Sequence, residues 1–183
     1  MKRALFVLAV SAAILNLSAE ELPIKATPEG KVNRFTTTPK KGDGITCVKL
    51  EDGKCVVKMD GTQEMKKLLS STRLKIAQGD KLKITVKAKG KGNISYGVYV
   101  YDSNKPNKFL GAVYKNDQAV TETSADYVYE GVVEKNAKEK SSFDRPAFGL
   151  FFFHAKKGAV VEVEKIEYEI KKAPEEKVAL PDF

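Results

Sequence analysis

Two short runs carry side chains suited to gripping a ligand. Tyr99 and Tyr101 stand two residues apart, so on a β-strand they project from one face. Asp102 and Asn104 follow at the end of that run. Phe151 and Phe153 repeat the same spacing further along. Flat aromatic rings stack on the apolar C–H face of a pyranose while neighbouring amides and acids hydrogen-bond its hydroxyls. Tyr99, Tyr101, Asp102, Phe151 and Phe153 are therefore the candidate ligand-binding residues, on two strands lining one sheet. The competing reading is that the same rings fill a second core layer or meet a partner.

The residues that catalysis requires are few. His154 is the only histidine, and it follows Phe151-Phe152-Phe153 directly, company that suits a structural role. There is no Gly-x-Ser-x-Gly, His-Glu-x-x-His, phosphate-cradling glycine loop or Cys/His cluster. Glycoside hydrolysis needs two acids straddling the substrate. Here Glu130, Glu134, Glu162 and Glu164 fall at outward strand positions among lysines. No enzyme activity, metal or cofactor is expected.

The elements that would position these residues follow two-residue alternation. Leu82, Ile84, Val86 and Ala88 alternate with Lys81, Lys83, Thr85, Lys87 and Lys89, the pattern of a half-buried strand. Ile94–Tyr101 places Tyr96, Val98 and Val100 on one side and Tyr99 and Tyr101 on the other. Phe109–Tyr114, Tyr127–Val133, Ala147–Ala155 and Val160–Ile170 also read as strands. A one-residue phase slip near Glu164-Lys165 predicts a β-bulge. Ile45–Leu50 and Lys54–Met59 form a hairpin. Thr62–Ser70, with Met65, Leu68 and Leu69, has the spacing of a short helix capped by a threonine.

The only cysteines are Cys47 and Cys55. A two-residue Asp52-Gly53 turn would group Val48, Leu50, Cys55, Val57 and Met59 on one face and turn Cys47 away. A three-residue loop would put both thiols on one side and draw Lys49 inward. An oxidising compartment permits a disulfide; compartment and pattern disagree, and the balance leans to a bond.

Export is inferred from the first stretch. Met1-Lys2-Arg3 is a basic head, Ala4 to Leu17 an apolar run, and Leu17-Ser18-Ala19 a small-residue end, the layout of a secretory signal peptide over 1–19. The run is shorter than the ~20 residues that cross a bilayer, so no stable membrane insertion is expected. Loss of Lys2 and Arg3 would lower the formal charge from +8 to +6. The remaining arginines are Arg34, Arg73 and Arg145, too few for bidentate base readout, so nucleic acid is not expected as a partner. An anionic polysaccharide stays possible through long-range attraction.

Gly79-Asp80-Lys81-Leu82-Lys83-Ile84-Thr85-Val86-Lys87-Ala88-Lys89 resembles the central strand of jelly-roll carbohydrate-binding modules associated with xylanases and cellulases, which have a galactose-binding-like β-sandwich. Thr123–Tyr129 is similar to that family's threonine-rich approach to an aromatic strand, and Gly158–Tyr168 to its final strand. The resemblance spans roughly residues 44–171. The family's Asn-Gly, Phe-Glu and tryptophan opening is absent. There is no tryptophan at all, and the paired aspartates of its last strand are Glu164-Lys165, which weakens any calcium site.

The resemblance implies an all-β fold, a single jelly-roll β-sandwich of about eight to nine antiparallel strands. The organisation expected is a signal peptide (1–19), an N-terminal arm or leading strand (20–43), the sandwich (44–171) and a flexible tail (172–183). It implies a secreted, non-catalytic protein binding a polysaccharide or other glycan, whether periplasmic, at the cell surface or extracellular. A structural or protein-interaction domain of the envelope is the alternative.

Overall fold

The computed structural model describes residues 19–38, 43–105, 108–134 and 147–174. The signal-peptide segment, apart from Ala19, and most of the expected tail lie outside them. Every helix or strand described is a strand: β1 (Glu20–Glu21), β2 (Phe35–Thr38), β3 (Ile45–Lys49), β4 (Cys55–Asp60), β5 (Lys66–Ile76), β6 (Lys81–Lys91), β7 (Asn93–Asp102), β8 (Phe109–Ala119), β9 (Ala125–Val132), β10 (Ala147–Ala155) and β11 (Val160–Lys171). Two antiparallel sheets form the sandwich. One runs β3-β4-β11-β6-β9 with β1 added to β11; the other runs β2-β5-β10-β7-β8. Among the described residues no helix is long and apolar enough to cross a membrane.

The inward faces follow the alternation of the chain. Leu82, Ile84, Val86 and Ala88 of β6 are buried, as are Val161, Val163 and Ile166 of β11. The phase change in β11 is a bulge between Val163 and Lys165 against β6. Opposite them, Tyr96, Val98 and Val100 of β7 and Leu68, Leu74 and Ile76 of β5 complete the core. Burial pushes the Tyr96 phenol up to about 12.

The eleven strands among the described residues exceed the expected eight or nine for two reasons. The arm supplies β1 and β2, with Leu22 and Val32 packed into the core. The expected helix over 62–70 is replaced by β5, which begins at Lys66. Leu68 faces the core, whereas Leu69 pairs with Phe152 on the outer side of the sheet. A strand with apolar cover on both sides imitates helical spacing over so short a run. Thr62, instead of capping a helix, donates its backbone N–H to the Asp60 carboxylate (2.9 Å).

The β3–β4 hairpin closes through the longer loop. Lys49 pairs with Cys55 and Cys47 with Val57, and Leu50 N–H donates to the Lys54 carbonyl at 2.7 Å. Glu51-Asp52-Gly53 thus make a three-residue loop, with Gly53 at φ 83°, the left-handed position such loops require. This parity buries Cys47 with Ile45, Val57 and Met59 and leaves Val48 and Leu50 exposed. Lys49 escapes burial because it sits at the end of the sheet. Both cysteines are free thiols, and burial, followed by its neighbour Cys55, pushes the Cys47 thiol up to about 11.

The outer face of the six-stranded sheet is a ladder of opposite charges. Glu162 bridges Lys58 (3.7 Å) and Lys89 (3.2 Å), Lys87 meets Glu164 at 3.7 Å, and Lys83 meets Glu169 at 3.2 Å. The lysines that alternate along β6 are therefore largely neutralised by glutamates of β11.

Candidate functional site

The outer face of the five-stranded sheet differs in kind. Antiparallel register sets Tyr99 beside Leu150 and Tyr101 beside Phe148, with Gly97 beside Phe152 and Ser95 beside His154. On the far side of β7, Tyr99 pairs with Ala112, Tyr101 with Phe109 and Gly97 with Tyr114. Phe109 and Tyr114 are five residues apart and would point to opposite faces of a regular strand. The register shift between Val100 and Tyr101 changes the parity of β8 and brings both rings to the outer side.

These side chains form one connected cluster. The Tyr99 ring stacks on Phe152, centroids 4.0 Å apart and planes 16° from parallel. Tyr101 stacks on Phe148 at 5.7 Å. The Phe109 edge meets both Tyr99 (5.9 Å) and Tyr101 (5.8 Å), and Tyr114 lies 5.9 Å from Phe152. Phe148 and Phe152 are buried beneath, outside the sandwich core. Phe109 and Tyr114 remain 40% and 47% exposed, and Tyr99 and Tyr101 are half-buried between the two levels. Gly97 permits this arrangement: a Cβ there would come within 2.3 Å of the Tyr114 Cβ and of the Val113 carbonyl oxygen.

One end of the cluster is polar. The Ser95 hydroxyl donates to Asn116 Oδ1 at 2.8 Å, and Lys156 Nζ donates to the same oxygen at 3.1 Å. Asp117 adopts φ 50° at this irregular point of β8 and lies 3.8 Å from Lys156. His154 packs on Phe152 at 4.8 Å. Burial, then the charges of Lys67 and Lys156, pull its imidazole down to about 4. At neutral pH it is an uncharged ring carrying one donor and one acceptor.

A cleft of about 860 Å³ opens along the part of this face that holds Tyr99, Phe152 and His154. Its lining includes Tyr99, Phe109, Tyr114, Asn116 and Lys156, and it extends to Tyr129 and Glu134 from the other sheet's edge strand β9 and just beyond it. That is room for a small organic ligand with aromatic floor and polar margin.

Of the residues expected from the sequence, Tyr99 and Tyr101 lie on this face. Phe151 and Phe153 do not: both are fully buried in the core, paired with Val98 and Tyr96. Phe152, between them, is the ring that reaches the outer cluster. Asp102 is also fully buried; its Oδ1 accepts from the backbone N–H groups of Asn104 (2.7 Å) and Lys105 (3.1 Å) and organises the turn after β7. Phe109, Tyr114, Asn116 and Phe152 were not singled out by spacing, since irregularities in β8 and the apolar run of β10 conceal their parity; Lys156 lies just past the end of β10, where no alternation marks it.

No family model and no curated protein matches the chain. Solved structures do. The CBM22-1 xylan-binding domain of Paenibacillus barcinonensis Xyn10C is 13% identical, with 85% of this chain and 97% of that one covered and a TM-score of 0.52. The second N-terminal cellulose-binding domain of β-1,4-glucanase C from Cellulomonas fimi is 16% identical, with 87% and 99% covered and a TM-score of 0.52. At such identities the likeness is one of fold: the chain has the jelly-roll β-sandwich of these binding domains, as the resemblance in the sequence implied.

Proposed function

We propose that this protein is a secreted, non-catalytic glycan-binding protein whose ligand lies on the outer face of the five-stranded sheet. The observation that carries the reading is the two-level aromatic cluster. Phe148 and Phe152 form a buried floor, and Phe109, Tyr99, Tyr101 and Tyr114 stand over it with their rings reaching solvent. Stacking on sugar C–H faces needs rings held in place, and the floor holds them. Ser95, Asn116, His154 and Lys156 supply donors and acceptors at the margin for hydroxyl groups. The two similar domains are named for binding xylan and cellulose, which supports the same class of ligand here. That the carboxylates Glu162 and Glu164 are engaged by lysines supports binding without catalysis. The leader-like residues 1–19 support export.

Affinity electrophoresis of the protein through gels containing individual polysaccharides tests the proposal. Retardation in at least one gel, weakened by Tyr114→Ala, is expected. Free migration in every gel would overturn it. Val128 and Val132, 51% and 40% exposed on edge strand β9, favour the alternative of a protein-docking sandwich; pull-down by an envelope partner that Val128→Lys abolishes would then be the finding.

A further inference from the structure

We propose that the glycan taken by this face is anionic, an acidic polysaccharide bearing carboxylate or sulfate groups, recognised by cations along β5. The inference rests on the glycan-binding reading and names its substrate class.

Register places a basic residue at the β5 end of three rows that cross the sheet. Lys67 pairs with His154 in the row of Ser95, Arg73 with Leu150 in the row of Tyr99, and Lys75 with Phe148 in the row of Tyr101. Adjacent strands lie about 4.8 Å apart, so each cation stands roughly 10 Å across the sheet from its β7 neighbour. A polymer resting on the rings and crossing the strands would bring its substituents over β5.

Arg73 is tied to the platform directly. Its guanidinium carbon lies 4.4 Å above the Phe148 ring centroid, and Phe148 stacks on Tyr101. A guanidinium laid on an aromatic face keeps its N–H donors pointing sideways, in the fork that matches a carboxylate or sulfate.

These cations differ from Lys58, Lys83, Lys87 and Lys89 on the outer face of the opposite sheet. Among the described residues no carboxylate pairs with Lys67, Arg73 or Lys75, whereas those four lysines each meet a glutamate of β11. Asp117, beside the polar end of the cluster, faces Lys156 at 3.8 Å, and Glu134 lines the opposite side of the cleft, toward β9 and away from β5. An uncompensated positive strip beside an aromatic platform attracts a negatively charged ligand and raises its local concentration. A neutral glucan or xylan offers these donors only uncharged hydroxyl and ether oxygens, whereas a carboxylate or sulfate adds the opposite charge.

The test is titration of the full chain with polygalacturonate, dextran sulfate and neutral xylan, each at low and high salt. The wild type is compared with Arg73→Gln/Lys67→Gln and with Lys87→Gln on the opposite sheet as control. Expected is preference for one of the acidic polymers, weakened by salt, and a loss of roughly tenfold or more in the double variant alone, the worth of a charge-assisted hydrogen bond. Which acidic polymer is preferred distinguishes carboxylate from sulfate. Tight xylan binding that neither salt nor the double variant changes would overturn the acidic assignment and leave the glycan reading standing. Binding to none of the three, nor to any polysaccharide gel, would remove both.

Discussion

The Tyr99 ring lies almost parallel on Phe152 at 4.0 Å, joining a half-buried side chain of the proposed binding face to one that is 2% exposed. If the proposed face takes a glycan, binding and folding are coupled at this pair. Aromatic pairs contribute about 0.5–1.5 kcal/mol beyond the area they bury, so neither ring can be removed without cost to the other.

Three truncations separate the levels of the cluster. Phe152→Ala removes the floor and should cost about 3–5 kcal/mol of stability. Tyr99→Ala should cost about 1–2 kcal/mol of stability and also weaken glycan binding, since the ring is half-buried and stacked. Tyr114→Ala, at 47% exposure, should leave the melting temperature nearly unchanged and weaken binding by about 1 kcal/mol. Thermal melts run beside affinity gels read both quantities; equal destabilisation by all three would refute the two-level arrangement.

His154 makes stability depend on pH. Its folded pKa is held down to about 4 by burial and by Lys67 and Lys156, against about 6.5 in the unfolded chain. Above about pH 6.5 neither state takes up a proton there. Between about 6.5 and 4 the unfolded chain binds one and the folded protein does not, so stability falls with pH through that window, by at most on the order of 3 kcal/mol. Chemical denaturation across the range should show the decline, and His154→Gln should flatten it relative to wild type. An unchanged slope in the variant would assign the effect to other groups.

How far the sequence revealed this site depends on what each strand packs against. β6 has a charged face and an apolar face, so Leu82 to Ala88 could be oriented by alternation alone. The valines of β7 likewise fixed the outward direction of Tyr99 and Tyr101. β10 is apolar on both sides because the outer cluster rests on it, and Phe148 to Phe153 carry no contrast by which to choose a face. Only pairing with β7 decides that Phe152 points out and Phe151 and Phe153 point in. The irregularities in β8 depend on its partner strand, so the convergence of Phe109 and Tyr114 was invisible in their spacing. Leu68 and Leu69 suggested a helix for the same reason that β10 was ambiguous.

The core of the opposite sheet offers a simpler contrast. Ile84 is fully buried mid-strand between β11 and β9, and Ile84→Ala should cost about 2–5 kcal/mol through lost burial and the cavity left behind. Lys83, one position away, is partly exposed and meets Glu169 at 3.2 Å. Lys83→Ala should cost less than about 1 kcal/mol, as surface pairs do. Urea midpoints of the two variants measure the difference.

Gly97 ties the backbone to the platform and gives the sharpest prediction. It has no need of an unusual φ; it is glycine because Tyr114 on β8 and Phe152 on β10 occupy the space beside it in the same row. In Gly97→Ala the methyl carbon would fall 2.3 Å from both the Tyr114 Cβ and the Val113 carbonyl oxygen. The carbonyl belongs to the β7–β8 ladder and cannot swing aside as a side chain can, so the edge strand must move outward. Overpacking of this kind costs about 1–3 kcal/mol. The displacement also carries Tyr114 away from Phe152 and opens the row that the ligand would cover. The variant should therefore melt lower than wild type and lose more affinity than Tyr114→Ala, although it removes no atom. If it bound glycan as well as wild type while melting lower, Tyr114 and its row would not be part of the binding face.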